Sequence, residues 1–288
     1  MRNLTSFCRH RVSLPIRVNR RATAGLWMTI SLAAIVALLV PAQPAFAAPA
    51  DDPPGSDGPA AHGTAQAPPD FRFTPVGGWF GVRGGYSLNS ANSDIYTFYV
   101  ENLTLEKSDF NQGLFGVDFG WVITPRVELI FGFEYLTTTA ASEDRYYVDE
   151  FGAPITQQTQ FRQAPLYVKL RVNLVPRGKQ IGSYSWVPAK VVPYAGVGGG
   201  FTWWELYQFG DFVDYTDLTI FYEEFISDGW APTLGFFGGV DISLTPSVGL
   251  MAQADYVWAS GTLAPAFAGF DPIDLSGLRF SFGVNFRF

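Results

Sequence analysis

Ten charged residues recur on one phase of a two-residue alternation: Arg83, Lys169, Arg171, Arg279 and Arg287 against Asp118, Glu128, Glu134, Asp241 and Asp255. Five cations meeting five carboxylates suits either of two kinds of chemistry. Paired ions can hold a narrow enclosed space together, because an enclosed charge is costly unless it is compensated. The same groups can instead line a selectivity-setting pore. Counting residues from the strand ends puts Arg83 at the depth of Asp118, Glu134 near Lys169, Glu128 near Arg171 and Asp255 near Arg279. Acid–base catalysis has less to work with. The two histidines are His10 and His62, both before the alternating region, and the single cysteine is Cys8. Histidine is the usual general base near neutral pH, and disulfides, thiolate metal sites and cysteine nucleophiles need Cys. No catalytic residue, cofactor or metal ligand is assigned, and the chain is read as non-enzymatic.

A second constellation lies between positions 205 and 230. Glu205, Asp211, Asp214, Asp217, Glu223, Glu224 and Asp228 occur with no Lys or Arg among them, interleaved with Tyr207, Phe209, Phe212, Tyr215, Phe221, Tyr222 and Phe225. This reads as a solvated acidic loop or as a surface site for a divalent cation or a partner. No EF-hand spacing singles out ligands. The run Gly196-Val197-Gly198-Gly199-Gly200 lacks the spacing of a nucleotide loop and is followed by Phe201 rather than a helix start. Glycine in a strongly curved strand is the simpler reading.

The elements that position these charges are strands. Eight segments from Trp79 to Phe288 alternate apolar with small or charged residues. Examples are Phe115, Val117, Phe119 and Trp121 against Gly116, Asp118 and Gly120, and Leu166, Val168, Leu170 and Val172 against Tyr167, Lys169 and Arg171. Successive strand side chains point to opposite faces, so each segment has one apolar face and one face of small residues and isolated charges. That second face suits a narrow lumen. Trp121, Tyr135, Trp203, Trp204, Tyr256 and Trp258 stand near strand ends, as an interfacial girdle would. The tight turns Ile123-Thr124-Pro125-Arg126 and Leu244-Thr245-Pro246-Ser247 alternate with long connections at 89–109, 137–160, 205–230 and 259–276. The spacing predicts a closed, antiparallel, up-and-down transmembrane β-barrel of eight strands. Tyr146, Tyr147 and Val148, with Ile155 to Phe161, are placed to extend two strands as a hairpin. The long basic connection 176–192 departs from the pattern and has room for a short extra element.

Upstream, residues 1–47 carry six arginines and no acid, then an apolar stretch Leu26–Val40 and the small-x-small site Ala45-Phe46-Ala47. That is the layout of a cleaved signal peptide. Its removal leaves 13 basic and 26 acidic residues, a balance that argues against nucleic acid. Residues 48–76, rich in Pro, Ala, Gly and Asp, are read as a disordered periplasmic leader, and 77–288 as the barrel.

The closing Arg279-Phe280-Ser281-Phe282-Gly283-Val284-Asn285-Phe286-Arg287-Phe288, the paired Thr-Pro turns and the run Pro165-Leu166-Tyr167-Val168-Lys169-Leu170-Arg171 resemble the small outer-membrane β-barrel family, with OmpA-, OmpX-, OmpW- and Opa-like members. The resemblance implies location in the bacterial outer membrane with both termini periplasmic. It also implies contact with outer-membrane lipid and lipopolysaccharide. Phe280, Phe282, Val284, Phe286 and Phe288 would be the terminal signal read by the barrel-assembly machinery. Members of that family differ in role. The expected function is display of long acidic, aromatic loops for surface interaction, with an extracellular protein as the partner, or for envelope integrity. The alternative is a narrow channel or lateral release of a small or apolar solute.

Overall fold

A computed structural model describes residues 71–288 except 183–184 and 215–216. The expected signal peptide and most of the expected leader lie outside the described residues. Eight long strands close on themselves: β1 (Gly78–Asn89), β2 (Gln112–Val122), β3 (Val127–Val148), β4 (Pro154–Asn173), β7 (Val191–Val213), β8 (Ile220–Ser243), β9 (Val248–Gly261) and β11 (Gly277–Arg287). Each pairs antiparallel with the next, and β11 returns to β1 through eleven register positions from Trp79↔Arg287 to Asn89↔Gly277. Closure removes sheet edges and gives every strand two neighbours. The ladder is interrupted between β3 and β4, where the paired positions skip Glu134 and Tyr135 opposite Ala164 and Pro165. Proline brings no N–H to that seam.

Burial is inverted relative to a soluble sandwich. The outward phase is exposed: Phe119, Phe131, Leu166, Phe236, Phe282 and Phe286 all face away from the ring. The inward phase is buried, and all ten charges of the alternating pattern lie on it. An apolar outer belt around a polar interior is the burial order of a barrel whose outside meets hydrocarbon. This is a transmembrane β-barrel architecture. Among the described residues no helix is long and apolar enough to cross a membrane.

The two ends of the ring differ. At one, β2–β3 and β8–β9 are joined by matching Thr-Pro turns. Thr124 Oγ1 accepts from the Val127 N–H at 3.0 Å, and Thr245 Oγ1 from the Val248 N–H at 3.0 Å. A threonine hydroxyl holding the amide three residues on is a known turn device. The long connection at this turn end does hold an extra element, the hairpin β5 (Gly178–Ile181) with β6 (Ser185–Pro188). Its Trp186 exchanges backbone hydrogen bonds with Arg72, at 2.9 and 2.7 Å. The last residues of the segment expected to be a disordered leader are therefore ordered, because the free edge of β6 offers them bonding partners.

At the opposite, loop end the wall has uneven height. β1, β2, β9 and β11 have 11–14 residues, whereas β3, β4, β7 and β8 have 20–24. A tilted strand needs ~9–11 residues to cross a bilayer, so the surplus of about ten extends ~30 Å along the strand beyond it at ~3.3 Å each. Most of 205–230, expected as loop, is therefore strand. Its seven carboxylates obscured the period because aromatics occupy both phases near the tip. The hairpin expected from 146–161 is present; Asp149 Oδ1 accepts from Phe151 N and Ala153 N at 2.9 and 2.7 Å, and Gly152 takes φ +80° to turn the chain. The connection 89–109 contains helix α1 (Asp94–Asn102).

The inverted burial generates a test. Phe282, 69% exposed on the outer belt, should resist charge: Phe282→Arg is expected to cost ~2–4 kcal/mol near the bilayer midplane. Urea titration of the protein folded into vesicles reads this, and an unchanged midpoint would mean that this face does not meet lipid.

Candidate functional site: a filled lumen under an apolar plug

The lumen is built in tiers. Nearest the turn end, Glu128 on β3 is the hub. Trp79 Nε1 donates to it at 2.8 Å and Asn173 Nδ2 at 2.5 Å, while Arg177 holds both its oxygens, Nη2 reaching Oε2 at 2.8 Å. Arg171 lies 3.8 Å from Glu128 and 2.6 Å from Asp241, and its guanidinium stacks 3.5 Å above the Tyr194 ring. Arg177 also reaches Asp241 at 3.0 Å. Two carboxylates thus sit among guanidiniums and amide donors, which offset the loss of their hydration.

The middle tier centres on Arg83, fully enclosed. Its Nε lies 2.8 Å from Asp118 Oδ2, its Nη2 meets Glu134 and donates to the Tyr167 hydroxyl, and Nη1 donates to Ser281 Oγ at 3.1 Å. Tyr167 passes its own proton toward Asp118 Oδ1 at 2.6 Å. Gly132 makes this possible, because a Cβ there would collide with the Tyr167 ring and Asp118. Arg279 reaches Glu134 at 2.8 Å, and Lys169 reaches Asp255 at 2.7 Å while lying 4.1 Å from the Tyr167 ring centre.

The expected pairs fare differently. Arg83 with Asp118 and Arg171 with Glu128 are brought together. Lys169 and Arg279 exchange the partners expected of them. Ile130, not Glu134, stands opposite Lys169, so the ammonium crosses to β9. Arg279 is the cross-strand neighbour of Asp255, yet its guanidinium turns across the lumen to Glu134. Among the described residues Arg287 has only neutral acceptors, Asn285 Oδ1 at 3.2 Å and Ser243 Oγ at 2.7 Å. Sequence reasoning missed Arg177, which lies outside any alternating strand; the basic character of 176–192 was its only signal. Trp204, expected in the interfacial girdle, instead points inward and is completely buried, because it stands on the other phase from Trp203.

Above the charges, toward the loop end, the interior turns apolar. Phe161, Trp204, Leu206, Ala231 and Ala259 on strand inner faces meet Ile95, Tyr96, Tyr99, Leu103, Leu105 and Phe110 of the β1–β2 connection. Ile273, in the two-residue strand β10 (Ile273–Asp274), and Leu275 complete this plug. Helix α1 presents Ile95, Tyr96 and Tyr99 on one face, as the spacing i, i+1, i+4 allows. It is anchored at both ends. Asp94 Oδ1 accepts from Asp271 N at 3.0 Å and Ser93 Oγ from Asp274 N at 3.2 Å; the Tyr96 hydroxyl donates to Asp274 O at 2.8 Å. At the C-terminal end Arg145 Nε donates to Val100 O at 3.1 Å, where a cation also complements the helix dipole.

The arrangement can hold the ring together from inside and exclude water. Among the described residues no group of three or more His, Cys, Asp or Glu side chains is placed to hold a metal ion. The carboxylates of the β7–β8 hairpin instead alternate with aromatics on its outer face. Trp203 pairs with Trp230, Glu205 with Asp228, Tyr207 with Ile226 and Phe209 with Glu224. Arg162 of β4 joins that face through Glu205 at 2.8 Å.

Neither a family model nor a curated protein matches the chain. Among solved structures, Neisserial surface protein A aligns at 13% identity and a TM-score of 0.41, over 74% of this chain and 97% of that one. The outer membrane protein OprG from Pseudomonas aeruginosa aligns at 15% and 0.38, over 74% and 97%. Ail, the attachment invasion locus protein of Yersinia pestis, aligns at 12% and 0.37, over 73% and 99%.

Two measurements test the lumen and the plug. Arg83→Met strands Asp118 and Glu134 without their shared cation, and breaking such a buried pair is expected to cost ~3–5 kcal/mol in urea unfolding from micelles; a loss below about 1 kcal/mol would show a hydrated, uncoupled interior. Burial pushes the Tyr96 and Tyr99 phenols above their ordinary range. The fold favours their neutral forms, so plug stability is complete below the ordinary phenol pKa of ~10 and is lost as pH rises through the higher folded values. Absorbance titration at alkaline pH should show a late tyrosinate step that shrinks in Tyr96→Phe/Tyr99→Phe. A wild-type curve identical to the variant's apart from its amplitude near pH 10 would place both phenols in water.

Proposed function

We propose that this small outer-membrane β-barrel is a non-enzymatic display scaffold of the bacterial outer membrane, with its loop end outside the cell and both chain ends on the periplasmic side. The observation that carries this reading is the filled interior. Charged tiers occupy the lumen from Glu128 to Arg279, and the apolar plug seals the loop end above them. An eight-stranded ring is just wide enough for its side chains to fill. What remains for function is the raised sheet β3–β4–β7–β8.

That sheet is suited to contact. Phe151 is 89% exposed at a tip held by the Asp149 turn, and Tyr222 and Trp230 stand out from β8 beside Glu224 and Asp228. Aromatics on a preorganised backbone are favoured anchors of protein interfaces. The partner would be an extracellular protein, with lipopolysaccharide and membrane lipid around the belt below. Export by the residue 1–47 signal, and recognition of Phe280, Phe282, Val284, Phe286 and Phe288 by the assembly machinery, belong to the same reading. The absence of His and Cys from residues 63–288 supports the non-enzymatic part. One observation favours the rival reading, passage of a small solute: a residual space lies beside Lys169, where Gly198 faces Gly235 across the β7–β8 seam.

Planar-bilayer recording separates the two. The intact protein should give no stepwise conductance, and opening the plug by Ile95→Asp/Tyr99→Asp should give none either while the charged tiers still fill the lumen below. Ion steps from the wild type would defeat the scaffold reading, as would turnover of phospholipid, lipid A or peptide that disappears with one carboxylate-to-amide change.

A further inference from the structure

The lumen's charges do not balance. Among the described residues six buried cations face five buried carboxylates, Arg177 being the addition to the alternating set. All the ion pairs inside the ring are made by Arg83, Lys169, Arg171, Arg177 and Arg279. The surplus cation is Arg287, only 4% exposed. Its Nε and Nη1 go to the neutral acceptors Asn285 and Ser243, and Nη2 lies over the bare face of Gly249, where a Cβ would collide with it.

Arg177 approaches the same place. It contacts Asp241 at 3.0 Å while Arg287 contacts Ser243 at 2.7 Å, and these two inward residues of β8 are roughly 7 Å apart. Arg177 Nη1 is buried and has no hydrogen-bond partner. Asp241 is already shared by Arg171, Arg177 and Asn285, so it does not neutralise a third guanidinium. Two enclosed guanidiniums with donors to spare, and one positive charge in excess, describe a site for an anion. Planar N–H forks match the oxygens of a phosphate group better than a spherical halide.

We propose that the turn-end mouth of the barrel, between β8, β9 and β11, binds a phosphate-type oxyanion through Arg287 and Nη1 of Arg177. The oxyanion supplies the missing negative charge, and Gly249, having no Cβ, leaves room for the Arg287 guanidinium that would hold it. The source is either free phosphate or the phosphodiester of an anionic lipid headgroup at the membrane edge.

The test uses the folded protein in maltoside micelles, which carry no phosphate, with 15N-labelled arginine side chains observed by NMR. Inorganic phosphate at constant ionic strength should shift the Arg287 and Arg177 signals saturably while chloride does not. Arg287→Gln should weaken the remaining Arg177 response at least tenfold, and Arg287→Lys, which keeps the charge but loses the fork, should weaken it too. Because the wild-type titration needs no variant, failure of either to fold leaves the result readable. If only phosphatidylglycerol added to the micelles shifts the two signals, the site stands and its source is lipid. The proposal is overturned if neither ligand moves them beyond the effect of chloride, or if Arg287→Gln binds phosphate as tightly as the wild type.

Discussion

Enclosing ionised side chains inside a ring of eight strands is the constraint on which the rest of this structure depends. The lumen is too narrow to hydrate them fully, so each needs an opposite charge or a fixed dipole within reach. That requirement explains the company kept by the central arginine. Arg83 is surrounded by Asp118, Glu134, the Tyr167 hydroxyl and Ser281. It also explains the glycines opposite the largest groups: Gly132 admits Tyr167, and Gly120 admits the indole of Trp79. Bulk on one strand is matched by its absence on the next, and the interior is filled by a few long polar side chains.

The same constraint divides the molecule along its axis. Where the wall lies at bilayer depth, the interior is ionic and the outside apolar. Where β3, β4, β7 and β8 rise beyond that depth, water is available outside, and the inner face returns to ordinary hydrophobic packing. The plug is therefore a conventional core of about fifteen buried residues laid over an unconventional one. Helix α1 belongs to this upper core and is held there by carboxylate and hydroxyl acceptors that bond the Asp271–Asp274 backbone.

The wall's asymmetry then sets what is displayed. Four tall strands form a sheet whose outer face carries Tyr207, Tyr222, Ile226 and Trp230 among Glu205, Glu224 and Asp228. Desolvation, with Glu224 beside it, pushes the Tyr207 phenol up to about 12. The turn end is shaped by different residues. The β5–β6 hairpin, Arg72 and Arg177 gather at it, and the guanidiniums there give it the opposite sign from the outer face of the raised sheet.

Strand phase is local, and so the sequence by itself determined which side chains enter the lumen. Successive residues on a strand must alternate sides, whatever the neighbours do. Arg83, Asp118, Glu128, Glu134, Lys169, Arg171, Asp241, Asp255, Arg279 and Arg287 could be assigned inward from period alone. The Thr-Pro turns were legible for the same reason, since a threonine hydroxyl three residues from its target needs nothing else. Tertiary structure decided who meets whom. Depth counted along adjacent strands cannot see that the opposite wall of a narrow ring is as near as the next strand, which is how Lys169 came to Asp255 and Arg279 to Glu134. It decided the plug as well, because Ile95, Tyr96 and Tyr99 find their partners on strands far away in the chain. Arg177 shows the limit most clearly. No period places a residue in a connection, and only the folding of the β5–β6 turn beneath the ring carries that guanidinium to Glu128 and Asp241.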